Sequence, residues 1–174
     1  MPRECSRCQA DTAGGGRCKN STCDRYPYCW VHLKKIDGLV VKTSTIAGAG
    51  KGLFADKRFR PGETVATYSA RRVEATSSGG AYTLNIGPNR HLNSDSKQNF
   101  VGRYVNDPRG TTKRANARFS HSANVQQKKG RATQPVKATK VIRKGDEVLV
   151  SYGAGYWNVH GTGKKKGKGK KRGA

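Results

Sequence analysis

The chain has 174 residues, enough for one ordinary domain and a small accessory unit but not for two full-sized hydrophobic cores. Apolar residues make up only 33% and glycine numbers 22, which argues against long amphipathic helices and favours short elements joined by many turns. The net charge of +24 is spread along the chain: 7 basic against 4 acidic side chains in 1–37, 21 against 7 in 38–160, and 7 against 0 in 161–174. A field of that sign concentrates polyanions, so nucleic acid or a protein–nucleic-acid complex is the expected neighbourhood; mere solubility would need only the tail. No run of about 18 apolar residues occurs, and the leading MPRECSRC has no apolar stretch. No membrane partner is expected, and the protein should be soluble and intracellular.

The first 37 residues carry every cysteine, a Gly14-Gly15-Gly16 run and little apolar periodicity, so this segment needs a staple to fold. Its spacing is Cys5-x2-Cys8-x9-Cys18-x4-Cys23-x5-Cys29-x2-His32. In a reducing compartment such a cluster points to structural zinc rather than disulfides. Cys29 and His32 form the firmest pair, with Trp30 and Leu33 available to pack beside them, and Cys18 comes next. The fourth ligand is either Cys8 or Cys23, and Cys5 is the expected spectator. A catalytic zinc is not indicated, because Glu4, Asp11 and Asp24 form no convincing arrangement around an open site.

From Leu39 onward the texture changes to short apolar runs bounded by Gly, Pro and Asn: 39–41, 52–55, 64–68, 81–86, 136–142 and 147–152. These predict strands, with Leu149 between Val148 and Val150 suggesting burial on both faces of the last one. Two excursions from the sheet are expected, at 77–82 and over 107–134. The final segment 161–174 has no apolar side chain larger than Ala and is expected to be a disordered basic tail.

AGAGKGLFA at 47–55 lacks the ending of a phosphate-binding loop and by itself reads as a turn. Its company changes its weight: AYTLNI at 81–86, GRYVNDP at 102–108 and GDEVLVSYGAGYW at 145–157 come after it in order. From Leu39 to Trp157 these pieces resemble the SET domain, with Arg60-Pro61-Gly62-Glu63 similar to the family's usual turn. The ending is similar to that of short viral members that close with Tyr-Trp. The N-terminal unit likewise resembles small zinc modules found beside other domains in proteins of large DNA viruses. Asn116-Ala117-Arg118-Phe119 resembles a strand that succeeds the loop in many members.

The resemblance implies a mainly β SET-domain fold of small curved sheets, with a C-terminal pseudoknot-like threading beneath the loop after Asn106. It divides the chain into a zinc module (1–37), a methyltransferase domain (38–160) and the tail (161–174). The implied activity is transfer of a methyl group from S-adenosylmethionine to a protein lysine ε-amine, with a histone as the favoured substrate and DNA or a nucleosome as the anchor. Tyr152 resembles the family's channel tyrosine, and Tyr82 would line the channel. The cofactor would lie against the backbone of Lys51, Gly52 and Leu53. Tyr104, Asn106 and Asp107 would fix its amino-acid part, Arg103 would support the pocket, and Tyr156 or Trp157 would pack on the adenine. The metal candidates are Cys8, Cys18, Cys23, Cys29 and His32.

One departure stands out: where the family usually reads Asn-His-Ser, this chain has Asn106-Asp107-Pro108. Pro108 lacks an N–H and restricts its predecessor. The competing function is therefore a non-catalytic SET-like module that binds chromatin or nucleic acid. Glu63, Glu74, Asp95 and Asp107 are the candidates for an acidic substrate groove. The nucleus or a viral replication compartment is the expected location, and a homodimer stays open.

Overall fold

The computed structural model describes residues 5–23, 28–74, 83–87, 90–93, 101–120, 127–128 and 131–160. Tyr82, Asp95 and the basic tail lie outside them.

The N-terminal unit begins with β1 (Cys5–Arg7), antiparallel to β2 (Ser21–Cys23), with Cys5 opposite Cys23. Between them the glycine run makes a tight turn: the Gly15 N–H donates to the Thr12 carbonyl at 3.0 Å, and Gly15 adopts φ 81°, a conformation that glycine takes at little cost. One turn of α-helix, α1 (Trp30–His32), continues as a π-helical turn over Leu33–Asp37 and stops at Gly38, where φ is 66°. Leu33 is fully buried and belongs to the main core, which ties this unit to the strands beyond Gly38. Trp30, expected to pack, is instead 62% exposed: the short helix turns Leu33 and His32 inward and leaves Trp30 and Val31 outside.

The remainder is mainly β. Strands β3 (Leu39–Thr43) and β4 (Lys51–Ala55) form an antiparallel hairpin around the 44–50 loop. A larger sheet contains β5 (Thr64–Glu74), β6 (Thr83–Gly87), β7 (Arg90–Asn93), β8 (Ala117–Phe119), β9 (Gln127–Lys128) and β10 (Arg131–Ala138). Its order is β6-β7-β5-β10-β8, with β9 also on β10. The expected strand at 136–142 is thus displaced toward the N-terminus, and beyond Ala138 only Ile142 pairs, in an isolated bridge to Phe59. The core sits between these pieces, with Leu53, Phe59, Val105, Val136, Ile142 and Val148 among its members.

The segment 147–150, expected as a strand, is buried throughout but bonds in single bridges rather than a ladder. On one side the Val148 N–H donates to the Leu53 carbonyl at 2.7 Å and the Val150 N–H to the Asn106 carbonyl at 2.9 Å. On the other, the Asn116 and Ala117 N–H groups both donate to the Leu149 carbonyl at 3.0 Å. Asn106 and Asn116 are the two ends of one loop, so the C-terminal segment is threaded beneath it, as the resemblance implied. A short helix, α2 (Gly153–His160), comes next. It was not legible in SYGAGYW, whose glycines disfavour helix. Among the described residues, no helix is long and apolar enough to cross a membrane.

Candidate active site and metal centre

In the N-terminal unit the Sγ atoms of Cys8, Cys18 and Cys29 and a ring nitrogen of His32 all lie within 4.8 Å of one another, and all four residues are buried. His32 Nδ1 stands 3.6 Å from Cys8 Sγ and 3.4 Å from Cys29 Sγ. Metal–sulfur bonds of about 2.3 Å and metal–nitrogen bonds of about 2.0 to 2.1 Å, tetrahedrally disposed, require a sulfur–nitrogen edge of about 3.6 Å. The donor set therefore fits a single Cys3His ion. The fourth member of the set, left open between two cysteines by the spacing, is Cys8. Cys23 lies in β2 opposite Cys5, and the set is complete without it.

Each of the three sulfurs accepts an N–H: Cys8 from the Cys29 backbone at 3.2 Å, Cys18 from the Asn20 backbone at 3.4 Å, and Cys29 from the Asn20 amide at 3.6 Å. Donors aimed at sulfur favour thiolates, the form that binds metal. Burial pushes the Cys29 thiol up, but the donors from His32 and Asn20 outweigh it and bring its pKa to about 6. At Cys18 the Asn20 N–H favours the thiolate, yet burial and the neighbouring Cys29 and Cys8 sulfurs prevail and the pKa is raised. Two arginines that the spacing did not single out brace the ligand loops reciprocally: Arg7 Nε donates to the Cys18 carbonyl and Arg17 Nε to the Cys8 carbonyl, both at 2.9 Å.

The second site forms where β4, the 101–107 segment and the threaded C-terminus meet. Gly52 is buried on β4, with Leu53 beside it in the core, so these two offer backbone rather than side chain to a ligand; Lys51 is exposed. The Asn106 amide donates to the Lys51 carbonyl at 3.0 Å and to Glu147 Oε1 at 3.2 Å, joining the loop, the hairpin and the threaded segment at one point. Glu147, which sequence reasoning passed over, is 6% exposed. It also accepts the Ser44 hydroxyl at 2.6 Å, the Thr45 N–H at 2.9 Å and the Thr45 hydroxyl. Burial pushes its pKa up, but these donors overcome it and hold the carboxyl below the usual range. Gly52 leaves room for this carboxylate: an added Cβ would run into Glu147 Oε1 and push it away from its donors.

Upstream, Val101–Tyr104 forms a 3₁₀ turn in which the Arg103 guanidinium lies 5.7 Å from the centre of the Tyr104 ring. Tyr104 packs on the core, as does Tyr152. The Tyr152 hydroxyl donates to the Val105 carbonyl at 2.7 Å, which puts its ring against the residue preceding Asn106. Tyr152 and Tyr156 meet edge to face at 4.8 Å, and Tyr152 and Trp157 lie near parallel at 6.2 Å. The structure thus brings together Tyr152, Tyr156, Trp157, Asn106, Asp107 and Lys51 through Leu53. Asp107 is buried and its carboxylate is turned to protein N–H groups, so it is withdrawn from the expected acidic groove. Glu63 is spent on a turn, accepting the Arg60 N–H at 2.8 Å.

A search of curated protein sequences found no match to the chain. The SET domain family model matches residues 50–153, over half of the chain and the region that holds the hairpin strand, Asn106, Glu147 and Tyr152. The chain belongs to the SET domain family, a family of protein lysine methyltransferases.

Proposed function

We propose that the protein transfers a methyl group from S-adenosylmethionine to a lysine ε-amine, on a histone held at DNA-wrapped chromatin. The observation that carries this reading is the Tyr152 hydroxyl held on the Val105 carbonyl, one residue from the Asn106 amide that clasps the Lys51 carbonyl. When bound, the cofactor supplies a methyl group activated on a positively charged sulfur. Lys51 through Leu53 offer a close backbone approach, and Asn106 fixes the edge of that strand. The Tyr152 hydroxyl donates to the Val105 carbonyl, and that bond fixes the phenol oxygen where it can orient an incoming amine. A free lysine amine is about 0.1% neutral at physiological pH, so orientation of the deprotonated amine along one axis is what the site must contribute. Asn106-Asp107-Pro108 is compatible with this role, since Asp107 and Pro108 are fully accommodated in the loop.

The Cys8, Cys18, Cys29 and His32 set is assigned to one structural zinc ion, with all four positions filled by protein. The charge of the domain and of the tail supports nucleosomal DNA as the anchor, in the nucleus or a viral replication compartment.

Incubation with radiolabelled S-adenosylmethionine and separate pools of histones, nucleosomes and no substrate tests the reading. Label on one histone supports it and identifies the substrate. Absence of both label and cofactor binding would favour a non-catalytic chromatin-binding module.

A further inference from the structure

The departure at Asp107 has a geometric consequence. One carboxylate collects three N–H donors: Oδ1 accepts the Arg109 backbone at 2.8 Å, while Oδ2 accepts the Tyr152 backbone at 2.7 Å and the Trp157 indole at 2.9 Å. A neutral imidazole has a single acceptor nitrogen and cannot take this set, whereas a carboxylate has lone pairs enough for all three. Asp107 is 9% exposed, so these charge-assisted bonds are shielded from water. Pro108 complements it. No N–H is needed there, its carbonyl accepts the Thr111 N–H at 3.0 Å and the Thr111 hydroxyl at 2.6 Å, and Gly110 completes the turn with φ 81°. The Arg109 guanidinium then lies 5.8 Å from the Trp157 ring centre.

Tyr152 and Trp157 bracket the first turn of α2, and both are held by the same oxygen. We propose that Asp107 is a positioning residue that latches α2 onto the loop, setting where the Tyr152, Tyr156 and Trp157 rings stand beside the cofactor cleft. This rests on the reading of Tyr152 as the channel residue. The carboxylate is taken up by protein N–H groups and acts through the two aromatic residues it holds. Asp107 and Pro108 thus act as a pair, the carboxylate taking the three donors and the proline shaping the turn that carries Arg109.

The test uses the full-length zinc-loaded protein in a Trp30→Phe background, so that Trp157 is the one emitting indole. Asp107→Asn, Trp157→Phe and their combination are compared for S-adenosylmethionine affinity by calorimetry, for cofactor KM against kcat, and, where Trp157 is retained, for indole emission. Asp107→Asn is expected to shift Trp157 emission to the red and weaken cofactor affinity on the order of tenfold. Trp157→Phe should give a comparable loss, and the combination little more than either alone, because the bond between Asp107 and the Trp157 indole is lost in both. Unchanged emission and affinity in Asp107→Asn, or losses that simply add, would overturn the latch. If Asp107→Asn does not fold, Trp157→Phe decides alone, since it removes the indole donor and leaves the carboxylate on two backbone N–H groups. If the parent protein neither binds the cofactor nor transfers methyl, the enzymatic reading falls, while the emission of Trp157 in Asp107→Asn still decides the latch.

Discussion

Ser44 and Glu147 stand 103 positions apart in sequence, and the Ser44 hydroxyl donates to Glu147 Oε1 at 2.6 Å. This bond fastens the loop between β3 and β4 to the threaded C-terminal segment. With the Thr45 and Asn106 donors it surrounds a buried carboxylate, which holds the 44–50 loop against the threaded segment.

Replacing Glu147 by Gln puts an amide N–H₂ against groups that are themselves donors. Stability at neutral pH should fall by about 2 to 4 kcal/mol, the scale of losing one or two hydrogen bonds to a charged group. Burial raises the Glu147 pKa, yet the donors from Ser44, Thr45 and Asn106 bring it below the ordinary carboxylate value. A folded-state pKa depressed in this way contributes stability that is present above the unfolded-state value, about 4.3, and is lost as pH falls through the lowered one. Denaturant titrations from pH 3 to 7 should therefore show a shallower acid decline in Glu147→Gln than in the parent. An equal decline in both would contradict the assignment.

The metal centre predicts one zinc per chain, retained in Cys23→Ser and lost in Cys29→Ser or His32→Ala. Chelation should unfold residues 5–37 while leaving the larger sheet intact, because zinc affinity and folding of so small a unit are one free energy. With the Cys29 thiol lowered to about 6, its thiolate is available to the metal at neutral pH, and that readiness is lost as pH drops through this value. Zinc content by mass spectrometry across the variants checks the ligand set; loss of the ion from Cys23→Ser would contradict it.

Gly102→Ala should be among the most damaging single changes, since the added Cβ would stand 2.4 Å from the Thr67 carbonyl oxygen, a backbone atom that cannot swing away. Overpacking of this kind costs about 1 to 3 kcal/mol and would displace the Val101–Tyr104 turn that leads into Asn106. Thermal unfolding of the variant should show a clear loss, and a melting point equal to that of the parent would count against the close approach.

Much of this was legible in the residues. The Cys29-x2-His32 pair, the hairpin glycines and the SYGAGYW ending carry local chemistry; the structure gathers Cys29 and His32 into one buried set and places Tyr152 beside Tyr156 and Trp157. Leu149 between two valines correctly signalled burial on both faces, because a threaded segment has protein on each side. What the sequence could not disclose was partnership at a distance. Glu147 carried no signal in the sequence, because the Ser44 and Thr45 donors that define it lie about a hundred residues away. Cys8 and Cys23 were equivalent by spacing, and what singles out Cys8 is the approach of its Sγ to Cys18, Cys29 and His32 in the folded chain. Asp107 read as a defect because its three donors come from Arg109, Tyr152 and Trp157, of which two lie more than forty residues away.

The most direct test of the central claim is Tyr152→Phe, assayed for methyl transfer to histones and for S-adenosylmethionine binding on the same preparation. The ring remains and one hydroxyl leaves, so cofactor affinity should stay within about twofold, while kcat should drop on the order of a hundredfold through loss of orientation at the amine. A variant that turns over at the parental rate would show that the Tyr152 hydroxyl does not direct the transfer, and the account of this site would have to be abandoned.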